Sequence, residues 1–432
     1  MLISELEELG KELRLGKEEL AKELEISFER LNEIYASDEI QDVQILSKIR
    51  SIQCRLERMK INKYAEILSE QPTGPFKSGK IYAHPSELNL LYKAPNKTTP
   101  ITLELHLSNI CDHHCPFCTF RDSVHKSLER NATFPLELID NIIRDSKKMH
   151  IKAIVYSGGG EPLLYSNFIK VVEKFSSINI DQGLITNGSK LDDDDILKSV
   201  IKNFSWIRVS VDAGSANVYE RTHGTDQKFE KIINNVKRLS RLKKDLHSSK
   251  PRIGVSFLLT MENYNDLIRA VEVFSETGID YFQVKPLVMN AEERIASGNI
   301  FWKQAVFDQL LALPAHSKTN YHVYTLGFKF IDLLKAVNKK QFSKCHGHPF
   351  YPVITANGKI YVCCLMIGHE KLCYGELTNE IGFYEIWTTK ERPKIGNSVN
   401  VLSCPLNCKL SETNKTLEPF FTANYDDPNF LN

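Results

Sequence analysis

Residues 101–120 read ITLELHLSNICDHHCPFCTF, a short strand-like apolar run that breaks into a loop carrying Cys111, Cys115 and Cys118. Further apolar runs follow in KAIVYSGGG, DQGLITNG, WIRVSVDAG, RIGVSFLLT and YFQVKPL, separated by helix-like segments such as LELIDNIIRDSKKM and KIINNVKRLSRLKK. Strands alternating with helices predict a parallel sheet with right-handed crossovers, because each parallel strand needs a long return connection over one face. The expected fold class is therefore α/β, a partial (β/α)6 TIM-type barrel whose functional groups lie at the C-terminal strand ends. The cysteine loop immediately follows the first strand and so falls on that face.

Outward from the barrel, expected at 99–300, the pattern changes. Residues 1–70 place Leu20, Leu24, Phe28, Leu31 and Ile34 at three- and four-residue spacing, which predicts a helical module. Within it, LGKEELAKELEISFERLNEIYAS has the look of a helix-turn-helix with its turn near Ile26-Ser27. Twelve acidic against five basic side chains in residues 1–40 repel phosphate, so nucleic acid is not an expected partner and a docking or dimerisation role fits better. Residues 71–98, from QPTGPFKSGK into KAPNKTTP (93–100), read as a polar linker. Residues 301–432 form a cysteine-rich tail in which Asn357-Gly358, between alternating apolar residues, predicts a two-residue hairpin turn.

Whole-chain properties narrow the function classes. Lys and Arg number 55 against 54 Asp and Glu, so no global field draws in nucleic acid or an anionic membrane. The charged start lacks the apolar core of a signal peptide, and no stretch is apolar for long enough to span a bilayer. A cytoplasmic chain without a membrane partner is expected. In that reducing setting the ten cysteines speak for metal or redox work rather than disulfides.

CDHHCPFC spaces its thiols C-x3-C-x2-C, so one loop can wrap one cubane. Three thiolates bind three irons and leave the fourth open, whereas ordinary electron-transfer clusters use four cysteines. A zinc site with His113 or His114 as fourth ligand is the alternative reading of the same residues. The spacing, with aromatic Phe117 before the last cysteine, resembles the radical S-adenosylmethionine (SAM) superfamily. The resemblance implies that Cys111, Cys115 and Cys118 hold a [4Fe-4S] cluster whose open iron chelates SAM. It matches Ser157-Gly158-Gly159-Gly160-Glu161-Pro162 to the family's Gly-Gly-Glu motif, so that Gly159, Gly160 and Glu161 would meet the SAM amine across a backbone without Cβ atoms. It also marks Asn187, Ser210 and Asp212 as strand-end polar residues. Ser210 is the candidate for the SAM carboxylate or ribose, with Arg221 assisting. Lys285, on the sixth strand, suits a substrate anion or a buried ion pair.

In the tail, CHGHPFYPVITANGKIYVC reads C-x12-G-x4-C, and Cys404 and Cys408 follow in SCPLNC. The Gly358 turn would bring Cys345 and Cys363 together, with Cys404 and Cys408 closing a four-thiolate set; a zinc site with four cysteines is again the alternative. The tail resembles the SPASM and twitch extensions of radical SAM enzymes, and its cysteine count implies one auxiliary [4Fe-4S] cluster. Cys364 and Cys373 are left over and are expected to be small buried hydrophobes.

The resemblance implies reductive cleavage of SAM to a 5′-deoxyadenosyl radical that takes hydrogen from a substrate, with flavodoxin or ferredoxin as electron donor. A sugar, nucleoside or other small polar metabolite is the expected substrate, and a peptide or protein side chain the alternative. A zinc-stabilised DNA-binding regulator is the rival of another class.

Overall fold

The computed structural model describes residues 3–13, 15–37, 39–76, 79–120, 129–288, 304–335 and 340–422. The chain divides into two compact units, Met1–Ile67 and Leu68–Asn432. The first holds α1 (Ile3–Leu13), α2 (Lys17–Glu23), α3 (Phe28–Tyr35) and most of α4 (Val43–Glu70). Leu20, Leu24, Leu31 and Ile34 are at most 6% exposed, as their spacing requires, whereas Phe28, the first residue of α3, stays 40% exposed. Ser27 caps α3 by accepting a hydrogen bond from the Arg30 amide at 3.1 Å, which satisfies one orphan donor and fixes the turn from α2.

In the second unit the six expected strands form: β1 (Thr102–His106), β2 (Ala153–Ser157), β3 (Asp181–Thr186), β4 (Trp206–Ser210), β5 (Arg252–Leu259) and β6 (Tyr281–Pro286). Each pairs in parallel with the next. The crossovers carry α6 (Ile139–Lys148), α7 (Phe168–Ser176), α8 (Asp194–Asn203), α9 (Ala216–His223), α10 (Phe229–Asp245) and α11 (Leu267–Ser275), while α5 (Pro85–Lys93) precedes β1. Side-by-side residues of parallel strands share a face, so the register sorts the sheet into two surfaces. Leu103, Leu105, Ile154, Tyr156, Leu184, Ile207, Val209, Val255, Phe257, Phe282 and Val284 fall on one face and are buried. The opposite, lumen face carries Glu104, His106, Ser157, Arg208, Ser210, Ser256, Gln283 and Lys285. A polar lumen is unlike a barrel interior filled with branched apolar side chains, and it provides room for polar ligands.

The sheet extends past the six strands. On one edge β7 (His322–Thr325) pairs in parallel with β6. On the other, β8 (Val353–Ile354) pairs in parallel with β1, followed antiparallel by β9 (Lys359–Tyr361) and β10 (Cys373–Glu376). The strand order is thus β10-β9-β8-β1-β2-β3-β4-β5-β6-β7. The β8–β9 hairpin turns where Asn357-Gly358 predicts, with Gly358 at φ 81°, a conformation that favours glycine.

Residues 71–98, read from sequence as a linker, are packed onto the barrel. Pro72 accepts a hydrogen bond from the Thr325 amide at 3.2 Å, and the Phe76 ring lies 5.6 Å from Tyr281 and 6.1 Å from Tyr324. Tyr281 opens β6, so this segment covers the N-terminal end of the barrel. Ile81 and Leu91 are buried with Phe350 and Leu417 of the tail.

Candidate active site

The cysteine loop leaves β1 through Leu107–Ile110 and is held from both sides. Asn109 N donates to Ala132 O at 2.9 Å, and His114 N to His223 O at 2.8 Å. Inside the loop, Asp112 accepts from Lys228 Nζ at 2.9 Å and from Asn187 Nδ2 at 2.8 Å. Burial alone would raise the Asp112 pKa, but His113, Lys228 and Asn187 hold it well below the usual carboxylate range. His113 is buried, with Nδ1 2.7 Å from Asn187 Nδ2 and Nε2 2.9 Å from Tyr219 Oη. Both its ring nitrogens are engaged, and His114 is exposed. A His113 ring nitrogen nonetheless lies within 4.8 Å of Cys111 Sγ and an Asp112 oxygen, so the loop geometry admits the zinc reading as well. Cys115 Sγ lies 3.4 Å from His223 Nδ1. His223 Nε2 must donate to Val211 O at 2.6 Å, because a carbonyl only accepts.

Cys118 lies close enough to act on both Cys111 and Cys115, and Cys111 on Cys115. Burial first, then Glu161, Asp112 and Cys118, push the Cys111 thiol up to about 11, and burial with Asp212, Cys118 and Cys111 pushes Cys115 higher still. Cys111 and Cys115, which resist ionisation alone and sit beside Cys118, belong to a set that a cation stabilises in thiolate form. Phe117 is half-buried, its ring 6.5 Å from His223. Tyr219 and His223, one turn apart on α9 with rings stacked at 4.2 Å, support the loop and were missed in the sequence. Their i, i+4 spacing in YERTH is the signal that would have marked them.

The Gly159-Gly160-Glu161 segment follows β2 and abuts this loop. A Cβ on Gly160 would sit 2.3 Å from Ile110 O and 2.4 Å from the Asn109 carbonyl carbon. The missing side chain therefore admits the cysteine-loop backbone itself, which the sequence-level argument about a SAM amine did not anticipate. Glu161 is buried, and its carboxylate accepts from Leu163 N at 3.0 Å, Thr186 Oγ1 at 2.6 Å and Asn187 N at 2.7 Å. Burial raises its pKa to about 7 against those hydrogen bonds. The carboxylate thus ties β2 to the end of β3 rather than facing open space. Gly160→Val should push Asn109–Ile110 outward, so we expect iron at the first cysteine group and SAM affinity to fall together. Iron retained with weakened SAM binding would place the effect on SAM alone.

Ser210, half-buried at the end of β4, faces the lumen beside Ser256. Asp212 is buried just beyond, accepting from Leu258 N at 2.5 Å with Oδ2 3.6 Å from His223 Nε2. Burial raises it to about 7, with Leu258 N and Lys285 opposing. Arg221 is exposed on α9 and donates to Asn217 Oδ1 at 2.8 Å, so it is not brought to the lumen. On β1, Glu104 accepts from Ser157 Oγ at 2.5 Å and from Lys409 Nζ at 2.6 Å, and lies 3.3 Å from His106 Nε2.

Lys409 follows Cys408, which joins the tail's cysteines to this network. Cys345, Cys363, Cys364, Cys404 and Cys408 line one cavity, walled otherwise largely by apolar residues such as Phe342, Val362 and Met366. Burial pushes Cys345 up to about 11 and Cys404 up to about 12, with Cys408 adding to both. The four expected ligands therefore converge and suit a metal group, and Cys364 stands beside them as a fifth thiol. Cys373 contacts Gly375 O at 3.4 Å and packs with Cys364 against Val353, Tyr361 and Ile367. If the ligands are Cys345, Cys363, Cys404 and Cys408, Cys364→Ser keeps the auxiliary iron and Cys363→Ser loses it. Iron content of the two purified variants decides this, and the reverse pattern would assign Cys364.

A polar-lumened parallel barrel with a three-cysteine loop at the end of β1 defines a known class of enzyme domain. Residues 105–274 match the model of the Radical SAM superfamily. The family uses a [4Fe-4S] cluster and SAM. The chain is similar to the tungsten-containing aldehyde ferredoxin oxidoreductase cofactor-modifying protein of Pyrococcus furiosus, with 25% identity over 200 residues, 45% of this chain and 53% of that protein. The match thus spans about half the length of that relative. It is also similar to the mycofactocin maturase MftC of Mycolicibacterium smegmatis, with 20% identity over 68% of this chain and 71% of that one. Among solved structures, Streptococcus suis SuiB bound to S-adenosylmethionine shares the fold over 92% of this chain and 85% of its own, at 16% identity and a TM-score of 0.54. SuiB bound to its precursor peptide SuiA aligns over 86% and 77%, at 15% identity and a TM-score of 0.52. Among the described residues no helix is long and apolar enough to cross a membrane.

Proposed function

We propose that this chain is a radical SAM enzyme in which Cys111, Cys115 and Cys118 hold the SAM-binding [4Fe-4S] cluster and Cys345, Cys363, Cys404 and Cys408 hold a second one. The observation that carries the reading is the convergence of the three thiols at the C-terminal end of β1, directly above the polar lumen. A cluster held by Cys111, Cys115 and Cys118 would supply the reducing electron for SAM cleavage, and a flavodoxin or ferredoxin is the donor we expect.

The protein's own share is placement. Asn187 and Tyr219 hold the cysteine loop in register with β3 and α9 through Asp112 and His113. Ser210 offers a hydroxyl to the carboxylate or ribose of SAM from the end of β4. The lumen below receives the substrate carbon and keeps bulk water from it.

Two substrate classes fit. The half-buried polar lumen suits a small polar metabolite, whereas the likeness to SuiB, one of whose solved forms holds a precursor peptide, supports a peptide. Regarding the net outcome, both leftover cysteines pack among apolar residues, which supports oxidation or rearrangement over thiol-quenched epimerisation.

The test is anaerobic reconstitution. Brown protein with about eight irons and eight sulfides, two four-iron cubanes, that forms 5′-deoxyadenosine from SAM with dithionite is the expected result. Colourless protein binding two zincs would replace the proposal with the regulatory reading.

A further inference from the structure

Lys285 fits a substrate anion or a buried ion pair when read from sequence, and its surroundings decide between them. Arg208 on β4 and Lys285 on β6 both face the lumen and are half-buried. Arg208 Nη1 donates to Gln283 Oε1 at 3.2 Å, and its guanidinium carbon lies 5.6 Å from the Trp206 ring. Its Nε is buried without a hydrogen-bond partner among the described residues. Lys329, on the helix Gly327–Leu334, adds a third cation and donates to the carbonyls of Asn407 at 2.9 Å and Cys408 at 3.3 Å.

Among the described residues, none of these three cations has a carboxylate within 4.0 Å. The acids nearby are already engaged. Glu104 is paired with Lys409 at 2.6 Å, and Asp212 is turned to Leu258 N and His223. Burial, Arg208 and Lys329 together depress the Lys285 pKa well below that of an ordinary lysine, with Asp212 opposing. Cations collected in a half-buried cavity repel one another and are stabilised by an incoming anion. A guanidinium edge, an ammonium and the Gln283 amide NH2 supply the donors that carboxylate and phosphate oxygens accept.

We propose that Arg208, Gln283 and Lys285 form an oxyanion subsite in the barrel lumen that fixes a carboxylate or phosphate of the substrate. The subsite rests on the radical SAM reading for its purpose: anchoring one end of the substrate presents the rest toward the cysteine loop at the strand ends. Along the register Gln283 is level with Ser210, Arg208 lies two residues deeper and Lys285 two residues nearer the strand ends; we assign the anion to the substrate rather than to SAM, and the titration with saturating SAM tests that assignment.

The experiment titrates acetate and, separately, inorganic phosphate into the reconstituted wild-type chain at constant ionic strength, following heat, with and without saturating SAM. One of the two anions should bind, and SAM should leave its affinity unchanged. Acetate as the better ligand identifies a carboxylate-bearing substrate, and phosphate a phosphorylated one. Arg208→Gln and Lys285→Met should each weaken that anion about tenfold or more, roughly one lost charge-assisted contact, while Lys285→Arg retains it; circular dichroism and iron content report that the variants are folded. No binding of either anion, equal binding by wild type and both neutral variants, or displacement of the anion by SAM would overturn the subsite. These titrations need no turnover, so absent 5′-deoxyadenosine formation in the wild type, which sinks the enzyme reading, is a separate result.

Discussion

Replacing Cys111, Cys115 and Cys118 together by Ala abolishes 5′-deoxyadenosine formation from SAM with dithionite while leaving about four irons bound at the tail site. The expectation follows from two independent ligand sets. The first three thiols sit in one eight-residue loop after β1, and the tail cysteines line a different cavity walled by Phe342, Val362 and Met366. Because the loop is anchored by Asp112, His113 and Asn187 rather than by the thiols, the variant keeps its fold. Iron analysis and product chromatography on the same preparation are the check. Undiminished SAM cleavage would remove the central claim, and loss of all iron would show that the tail cannot assemble its site alone.

Lys409→Met should markedly destabilise the barrel. It leaves Glu104, whose side chain is 4% exposed, without its cation, although Ser157 and His106 remain as partners. Removing one member of a buried pair costs about 3–5 kcal/mol; Lys409 keeps 38% of its side chain exposed, so we expect the lower end. The pH dependence has a definite sign. Burial alone would raise the Glu104 pKa, but Lys409 and His106 hold it well below the usual carboxylate range. In the wild type that pair contributes stability above the unfolded-state pKa, about 4 for a carboxylate, and loses it as pH falls. Without Lys409 the carboxyl is depressed less or raised, so the gap between wild type and variant should be widest near neutrality and close on acidification. Urea midpoints from neutral pH down to about pH 2 measure it, because a carboxyl whose pKa is lowered on folding gives up that stability below its unfolded-state value. Adding Glu104→Gln to the variant should recover most of the loss, since the uncompensated charge is gone.

β1 to β6 were legible because each is a complete apolar run with a helical crossover after it, and the cysteine loop because its spacing is local. The β8–β9 hairpin was legible from Asn357-Gly358, but its place in the sheet was not: nothing in VITANGKIY says that Val353 pairs with Glu104. The alternation that puts Glu104 and His106 on the lumen face is present in TLELH, but their partners arrive from Ser157 and Lys409, and sequence distance hides such pairs. For Gly160 the sequence pointed to a ligand amine, whereas the neighbour the fold supplies is the Asn109–Ile110 backbone, which only tertiary packing reveals. Residues 71–98 have a linker's composition, yet Phe76 finds an aromatic surface built by Tyr281 and Tyr324, which lie far along the chain.

The position of β1 has a consequence for biogenesis. Its two edges are completed at very different times: β2 emerges about fifty residues after β1, whereas β8 and the Lys409 partner of Glu104 follow after roughly 250 and 305 residues, the latter a direct contact. A strand edge left unpaired during synthesis is a template for mispairing, and contacts so distant form slowly. The loop that would take the first cluster is complete near residue 120, long before the tail's last cysteine leaves the ribosome. Maturation should therefore run in a fixed order, with the barrel site competent first and the tail site closing last, sealing the β1 edge as it does so.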